Sequence, residues 1–365
     1  NQEAVDNGLV RENGAFKIIK GEQGIEVNVE DSIAAIENYI SSEWDGGNAE
    51  IELVAEVVEP RGSEEDLEQI TDMMGSYTTN YKDSGQNRCD NISNATSKIN
   101  GTLLYPGEEF SVYEAIGPLD AANGYELAGA YENGQTVESY GGGVCQVSTT
   151  LYNAVILAEL EITQRSNHSM IVSYVKPSMD AAIAGDYKDL RFVNNQDIPI
   201  YIEGYTEGKN VTFKIYGHDT RPSNRVVTYE SEVVSEQDPG TQYVATGDPA
   251  GYMKTAQGKH IGYVARLWKV VTVDGVEESR EIFNKSTYKA SPKIVNVGTA
   301  SADPNVSAVI GAALATGDEA TINAAVAPYA ASAAAILNPA PVEQPSKEEQ
   351  AITGTVDESQ ITGGE

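Results

Sequence analysis

The residues with the clearest chemical potential form the run GGGVCQVSTTLYNA, Gly141–Ala154. Val147, Leu151, Ala154, Val155 and Ala158 recur at helical spacing, so a helix is expected to start close to Cys145, directly after the glycines. Free amides and the positive end of the helix dipole at that position favour a thiolate, lowering the thiol from its free value of about 8.5. The same amides, around Val144–Gln146, could hold the oxyanion of a tetrahedral intermediate. Gly142 and Gly143 carry no side chains and let a substrate backbone approach the sulfur. The run is not a phosphate loop, since no Lys-Ser/Thr pair follows the glycines.

A cysteine nucleophile needs a base. Of the three histidines, His168 is the candidate, because it falls just before the strand-like MIVSYV, whereas His218 and His260 sit in polar, surface-like contexts. A helix carrying the thiol and a strand carrying the imidazole bring the two together if they pack. Asp180 could orient the imidazole, and Asp186, Asp189 or the backbone are alternatives. Tyr140, Gln146 and Arg191 are candidate substrate contacts. The competing readings are plain ones: Cys145 as a small core hydrophobe, the glycines as a turn, or a Cys89–Cys145 disulfide in an exported protein. Cys89 shares the stripe Cys89, Ile92, Ala95, Ile99 and is expected to be buried and inert.

Composition narrows the field. The chain has 365 residues and a net charge of −31, which argues against nucleic acid and against a polybasic membrane-surface binder. Two cysteines and three histidines cannot make a disulfide scaffold or a zinc cluster, so neither metal nor cofactor is expected. No stretch reads as the run of about 18 apolar residues that a membrane span requires. The opening NQEAVDNG lacks an export-signal pattern, and the start at Asn1 suggests that a signal or anchor has been trimmed away.

The elements that must position these residues follow from periodicity. Residues 1–75 mix strand-like AFKIIKG, IEVNVE and AEIELVAEVVE with an amphipathic helix, DSIAAIENYISSEW, whose Ile33, Ile36 and Ile40 share a face. Ser63 caps a second helix, SEEDLEQITDMM. Residues 76–220 combine the two helices above with strands MIVSYV, DLRFVNN, IPIYIEGY and NVTFKIYG. Residues 221–299 alternate in period two, with Val-Asp-Gly at 273–275 as a hairpin turn, and read as all-β. Residues 300–365, rich in Ala, Pro, Ser and Glu, are expected to be a flexible tail with at most one marginal helix. The fold class is therefore α+β and multidomain: an α+β N-terminal domain, an α+β domain with the Cys-bearing helix packed on a sheet, an extended all-β module and a tail.

NGTLLYPGEEFSV, AIGPLDAANGY, GGGVCQVSTTLYNA and the Arg165–His168–Ser169 segment together resemble the VanW domain of Gram-positive cell-envelope proteins, a family named from glycopeptide-resistance clusters. The preceding segment resembles the peptidoglycan-binding domain that often comes before VanW. Residues 222–298 resemble the five-glycine domain, its pattern falling on Gly251, Gly258, Gly262, Gly275 and Gly298. The resemblance implies an extracellular, cell-wall protein acting on peptidoglycan stem peptides, with glycan contacts through the flanking domains and membrane attachment only through an anchor outside this chain. It implies L,D-transpeptidation, forming 3-3 cross-links through a cysteine thioester, with Cys145 matching the nucleophile. The Ser-His-Gly-Cys order of better-known L,D-transpeptidases is missing, and His168 follows the cysteine. A non-catalytic wall-binding or adhesion protein and a cysteine peptidase or amidase are the alternatives.

Overall fold

The chain opens with a hairpin of β1 (Gly8–Glu12) and β2 (Ala15–Ile19), followed by β3 (Gly24–Val27), α1 (Val29–Ser42), β4 (Ala55–Val58) and the short α2 (Glu64–Glu68). The computed structural model describes residues 1–132, 135–185 and 187–337. Asn28 caps α1 by accepting from the Asp31 amide, yet Ile33 and Ile40 stay about half exposed, so the apolar stripe of this helix is not sunk in a core. Ser63 caps α2, which stops at Glu68 rather than running on through Met74, because Leu67 and Ile70 turn inward and an extended strand follows.

The central layer contains β5 (Asp72–Asn80), α3 (Gln86–Ile99), β6 (Thr102–Leu104), β7 (Glu109–Ser111), α4 (Val112–Ile116), β8 (Leu127–Glu132), β9 (Gln135–Tyr140), α5 (Val144–Leu157), β10 (Glu161–Gln164), β11 (Arg191–Val193), β12 (Ile200–Glu207) and β13 (Asn210–Gly217). An antiparallel sheet of order β5-β13-β12-β6 forms its floor. Helices α3 and α5 lie on one face, where Ile92, Ala95, Ile99, Val147, Leu151 and Phe213 close a continuous core. On the other face Phe16 of the N-terminal hairpin meets Tyr201 and Tyr216 edge-on at 5.3 and 5.2 Å.

Helix α5 is buried on nearly every side, including Ser148, Thr149, Thr150 and Asn153, rather than on one stripe. Most polar side chains of such a helix find hydrogen-bond partners inside the protein. Thr150 does so with Thr79 of β5 at 2.7 Å, and Asn153 with the Met179 carbonyl at 2.8 Å. Contact between α5 and β5 is close enough to need Gly75, since a Cβ there would lie 2.2 Å from the Ala154 carbonyl oxygen. Gly75→Ala is expected to destabilise the protein by about 1–3 kcal/mol through overpacking, read as a fall in the urea midpoint.

MIVSYV is not a strand. Residues 165–183 form an irregular loop in which several amides bond side chains instead of a ladder. The His168 amide donates to Asp180, the Ala181 amide to the Thr149 hydroxyl, and the Ser178 amide to the Tyr288 hydroxyl.

Beyond the central layer come β14 (Arg225–Gln237), β15 (Thr241–Pro249), β16 (Met253–Gln257), β17 (Gly262–Val273), β18 (Val276–Tyr288) and β19 (Lys293–Ala300), then α6 (Pro304–Thr316), α7 (Glu319–Val326) and α8 (Ala330–Leu337). Two units result: Asn1–Pro239 with His260–Ser291, and Gly240–Lys259 with the chain from Pro292 on. In the first, β14-β17-β18 form an antiparallel sheet whose β17–β18 hairpin turns at Asp274 and Gly275, both at positive φ. In the second, β15-β19-β16 form a sheet with β15 and β19 parallel.

The expected flexible tail is helical from Pro304 to Leu337. Ile310, Ile322 and Val326 pack with Val295 and Val297 of β19 into a small core. Gly251 admits the Tyr329 carbonyl to within 2.2 Å of where a Cβ would sit. A few large apolar groups in the tail thus suffice once a strand outside it supplies the rest of the core. The helical run Glu319–Leu337 is 19 residues long with a mean hydropathy of 1.4, enough by length and composition to cross a membrane, contrary to the reading that no stretch qualifies. Lys347 and the rest of 338–365 lie outside the described residues.

Candidate active site

Cys145 occupies the first turn of α5, whose cap is Gly143 at φ 118, a conformation that side-chain-bearing residues rarely adopt. The glycines admit protein rather than open space. A Cβ on Gly142 would strike the Ala128 carbonyl oxygen at 2.5 Å, and one on Gly143 would press on Arg88 and Ile92 at 3.0 Å. Gly142 and Gly143 therefore line the cleft with backbone, while the side chains they lack would collide with β8 and α3. The amides of Val144 and Gln146 are already used, donating to Gly141 and Gly143. That narrows the expected oxyanion donors to the Cys145 amide itself, which has no acceptor among the described residues.

Cys145 and Cys89 are both free, which removes the disulfide reading. Cys89 is half-buried and lies 3.7 Å from the Ser84 carbonyl oxygen. The Cys145 sulfur lies 3.5 Å from the Ile183 carbonyl oxygen and interacts with the His168 imidazole. The His168 Nδ1 hydrogen-bonds Asp180 Oδ2 at 2.7 Å, and the same oxygen accepts the His168 amide at 2.7 Å. Asp180 is fully buried and compensated on its other oxygen by Arg165, at 3.1 Å, and by the Tyr288 hydroxyl. Arg165 also donates to the Asp180 carbonyl at 2.7 Å and to Ser286 at 3.0 Å.

The structure thus brings Cys145, His168 and Asp180 into one relay. Asp189 is elsewhere: it accepts from Ser111, the Tyr113 amide and Arg191, and anchors the start of α4. Asp186 lies outside the described residues.

Electrostatics favour an ion pair. Burial opposes charge on both partners, but the mutual contact outweighs it. The Cys145 thiol is held below its ordinary value by His168, with a smaller contribution from Arg88. The His168 imidazole, opposed by burial but hydrogen-bonded to Asp180 and Cys145, is raised from 6.5 to about 9. Asp180 is held low against burial by His168 and Arg165.

The relay opens into a cavity of about 1050 Å³ lined by Tyr140, Gly141–Cys145, Arg165–Ser169, Tyr174 and residues of β18, among others. Tyr140 faces this space, as a substrate contact requires. Gln146 does not. Its amide is buried against Thr79 and Asn80, and its oxygen accepts from Arg88 at 2.9 Å, so it holds the guanidinium that lines the cleft. Arg191 is also misplaced as a substrate contact, because it pairs with Glu109, Glu114 and Asp189 on β11, outside the cavity lining. Among the described residues no group of His, Cys, Asp or Glu side chains is arranged as a metal site. His218 is half exposed and lies 3.9 Å from Asp72, away from the cleft.

Sequence reasoning missed Arg88, Tyr174 and Tyr288. Arg88 carries no local signal beyond lying beside Cys89. Tyr174 sits edge-on to His168, with ring centroids 6.4 Å apart, inside the loop expected to be a strand. Tyr288 reaches Asp180 from a strand 108 residues further along the chain. Tyr288→Phe should leave Asp180 with one fewer donor. The His168 resonance, followed by NMR against pH, is then expected to shift its titration measurably from that of the parent.

On an α+β scaffold, a buried cysteine–imidazole–carboxylate series at a helix start thus opens to a large cleft. Residues 87–216 match the family described as VanW like protein, and residues 228–300 match the G5 domain. The chain is 32% identical over 214 residues to the uncharacterized protein YoaR of Bacillus subtilis (strain 168), covering 58% of this chain and 69% of that protein. It is 30% identical over 118 residues to the vancomycin B-type resistance protein VanW of Enterococcus faecalis (strain ATCC 700802 / V583), covering 31% of this chain and 42% of that protein. A solved IgA1 protease G5 domain is 24% identical, covering 21% of this chain and 94% of that domain, at a TM-score of 0.15. This chain belongs to the VanW-like family and carries a G5 domain. Both families are typical of secreted or cell-wall-associated proteins.

Proposed function

We propose that the protein is a cell-wall L,D-transpeptidase that forms 3-3 cross-links between peptidoglycan stem peptides through Cys145. The observation that carries this reading is the Cys145–His168–Asp180 relay facing an open cleft. The thiolate attacks the carbonyl that joins the donor's diamino acid to its terminal D-alanine. The Cys145 amide receives the developing oxyanion. The carbon–nitrogen bond breaks as the His168 imidazolium gives its proton to the departing D-alanine amine, leaving a thioester. A side-chain amine of a second stem attacks that thioester and loses its proton to His168. The new amide forms, and the thiolate–imidazolium pair is restored. Asp180 keeps Nδ1 occupied so that Nε2 serves the reaction. In this reading residues 1–75 and the G5 domain hold the catalytic unit against the wall through peptidoglycan or glycan.

Incubation with tetrapeptide-bearing peptidoglycan, followed by muropeptide analysis, tests the proposal. Dimers that disappear with Cys145→Ala are expected. Trimmed monomers would instead identify a peptidase or amidase, and unchanged muropeptides a binding protein. The turnover rate should also fall on the alkaline side as pH passes about 9, where His168 loses the proton it must donate. Alkylation of Cys145 by iodoacetamide should not fall there, since deprotonating the imidazolium leaves the thiolate in place.

A further inference from the structure

The cleft carries charge opposite to that of the chain. Net charge is −31, yet the described residues lining the cavity include Arg88, Arg165, Lys188, Lys285 and Lys289 and no aspartate or glutamate. A cleft lined by one sign of charge focuses the field and concentrates ligands of the other sign. The two arginines are committed to protein groups, Arg88 to Ser84 and Gln146, Arg165 to Asp180 and Ser286. Lys285 and Lys289 are different: both are exposed, and no acid pairs with either among the described residues.

Strand alternation explains their placement. Successive side chains on β18 point to opposite sides. Asn284, Ser286 and Tyr288 face inward, reaching Tyr152, Arg165 and Asp180. Lys285 and Thr287 therefore share the other side, and both line the cavity together with Lys289, the residue just after the strand. The edge of the strand is fixed to the catalytic loop, with the Lys289 amide donating to the Ser169 carbonyl at 2.7 Å and Asn167 to the Thr287 carbonyl at 2.9 Å. The strand and the residue after it thus support the relay from one side and present two ammonium groups from the other.

We propose that Lys285 on β18 and Lys289 just beyond its end, both in the G5-matching stretch, form the carboxylate-reading rim of the Cys145 cleft. The peptide accepted there is then one whose residue beyond the attacked carbonyl ends in a free carboxylate. This rests on the reading of the cleft as an acyl-transfer site, and it gives the G5-matching stretch a part in substrate selection in addition to any hold on the wall.

The test uses the full chain carrying Cys145→Ala, so that binding is read without turnover. Nα-acetyl-L-Lys-D-Ala is titrated by calorimetry, as the free acid and as the C-terminal amide. The free acid is expected to bind more tightly than the amide, by about tenfold, which corresponds to one lost charge contact of about 1.4 kcal/mol. Adding Lys285→Gln and Lys289→Gln should remove that preference and leave amide binding unchanged. Adding Lys285→Glu and Lys289→Glu should weaken the acid further. Equal binding of acid and amide, no binding of either, or an undiminished preference in the lysine variants would overturn the proposal. Failure of the acyl-transfer reading is visible separately, as absence of cross-linking by the parent protein while the acid preference persists.

Discussion

Replacing His168 with alanine is expected to lower the cross-linking rate by about 10⁴-fold, the upper range for a group that serves as both acid and base. The expectation follows from two roles falling on one ring. Contact with His168 favours the charged form of the Cys145 thiol, and in the proposed mechanism the same ring supplies the proton without which the D-alanine amine cannot leave. Loss of the imidazole leaves burial, opposed only by the Ile183 backbone contact and a weaker contribution from Arg88, to act on the thiol, so Cys145 should move up. Iodoacetamide labelling at neutral pH should slow in parallel with catalysis. A variant that keeps its labelling rate while losing cross-linking would show that the thiolate does not depend on the imidazole.

Asp180→Ala should have the second largest effect, on stability as well as rate. Asp180 accepts from the His168 ring, the His168 amide, Arg165 and Tyr288, all in the interior. Removing it strands a buried guanidinium, which costs about 3–5 kcal/mol. Urea unfolding should report that loss directly. Cross-linking by the folded fraction should fall by about 10⁴-fold, because the ring is no longer held in the productive tautomer. Asp180→Asn separates the effects, since it preserves shape but not charge. The carboxyl is held below its ordinary 3.8, with burial opposed by a larger contribution from His168 and Arg165. Its stabilisation is therefore present above that ordinary value and lost as pH falls through the lowered one. The imidazolium acts in the opposite sense: its contribution is complete below 6.5 and is lost as pH rises through about 9. An Asp180→Ala protein should lose less stability on acidification than the parent.

Much of the scaffold was legible because it is written in short periods. The apolar spacing after Gly143 marks α5, alternation marks β12, β13 and β17, and Asp274-Gly275 marks a hairpin turn. Each of these depends on neighbours a few residues apart. The loop carrying His168 broke the rule: MIVSYV has strand composition, but it lies in a loop whose Ala181 and Ser178 amides find side-chain acceptors on α5 and β18. The tail from Pro304 broke it too, since Ile310, Ile322 and Val326, widely spaced along it, found Val295 and Val297 of β19 to complete a core.

From sequence alone come the thiol at the head of a helix, a single histidine suited to serve it, and strands enough to support both. Tertiary structure decided which aspartate meets the imidazole, sending Asp180 into the relay and Asp189 to the cap of α4. It turned Gln146 inward to hold Arg88, kept Arg191 out of the cleft, and brought Tyr288, Lys285 and Lys289 to a site whose nucleophile lies far earlier in the chain. The physical reason is that periodicity records how a segment meets its own neighbours. Convergence of distant side chains depends instead on how buried charges and backbone groups find partners when the layers pack, and that leaves no local mark.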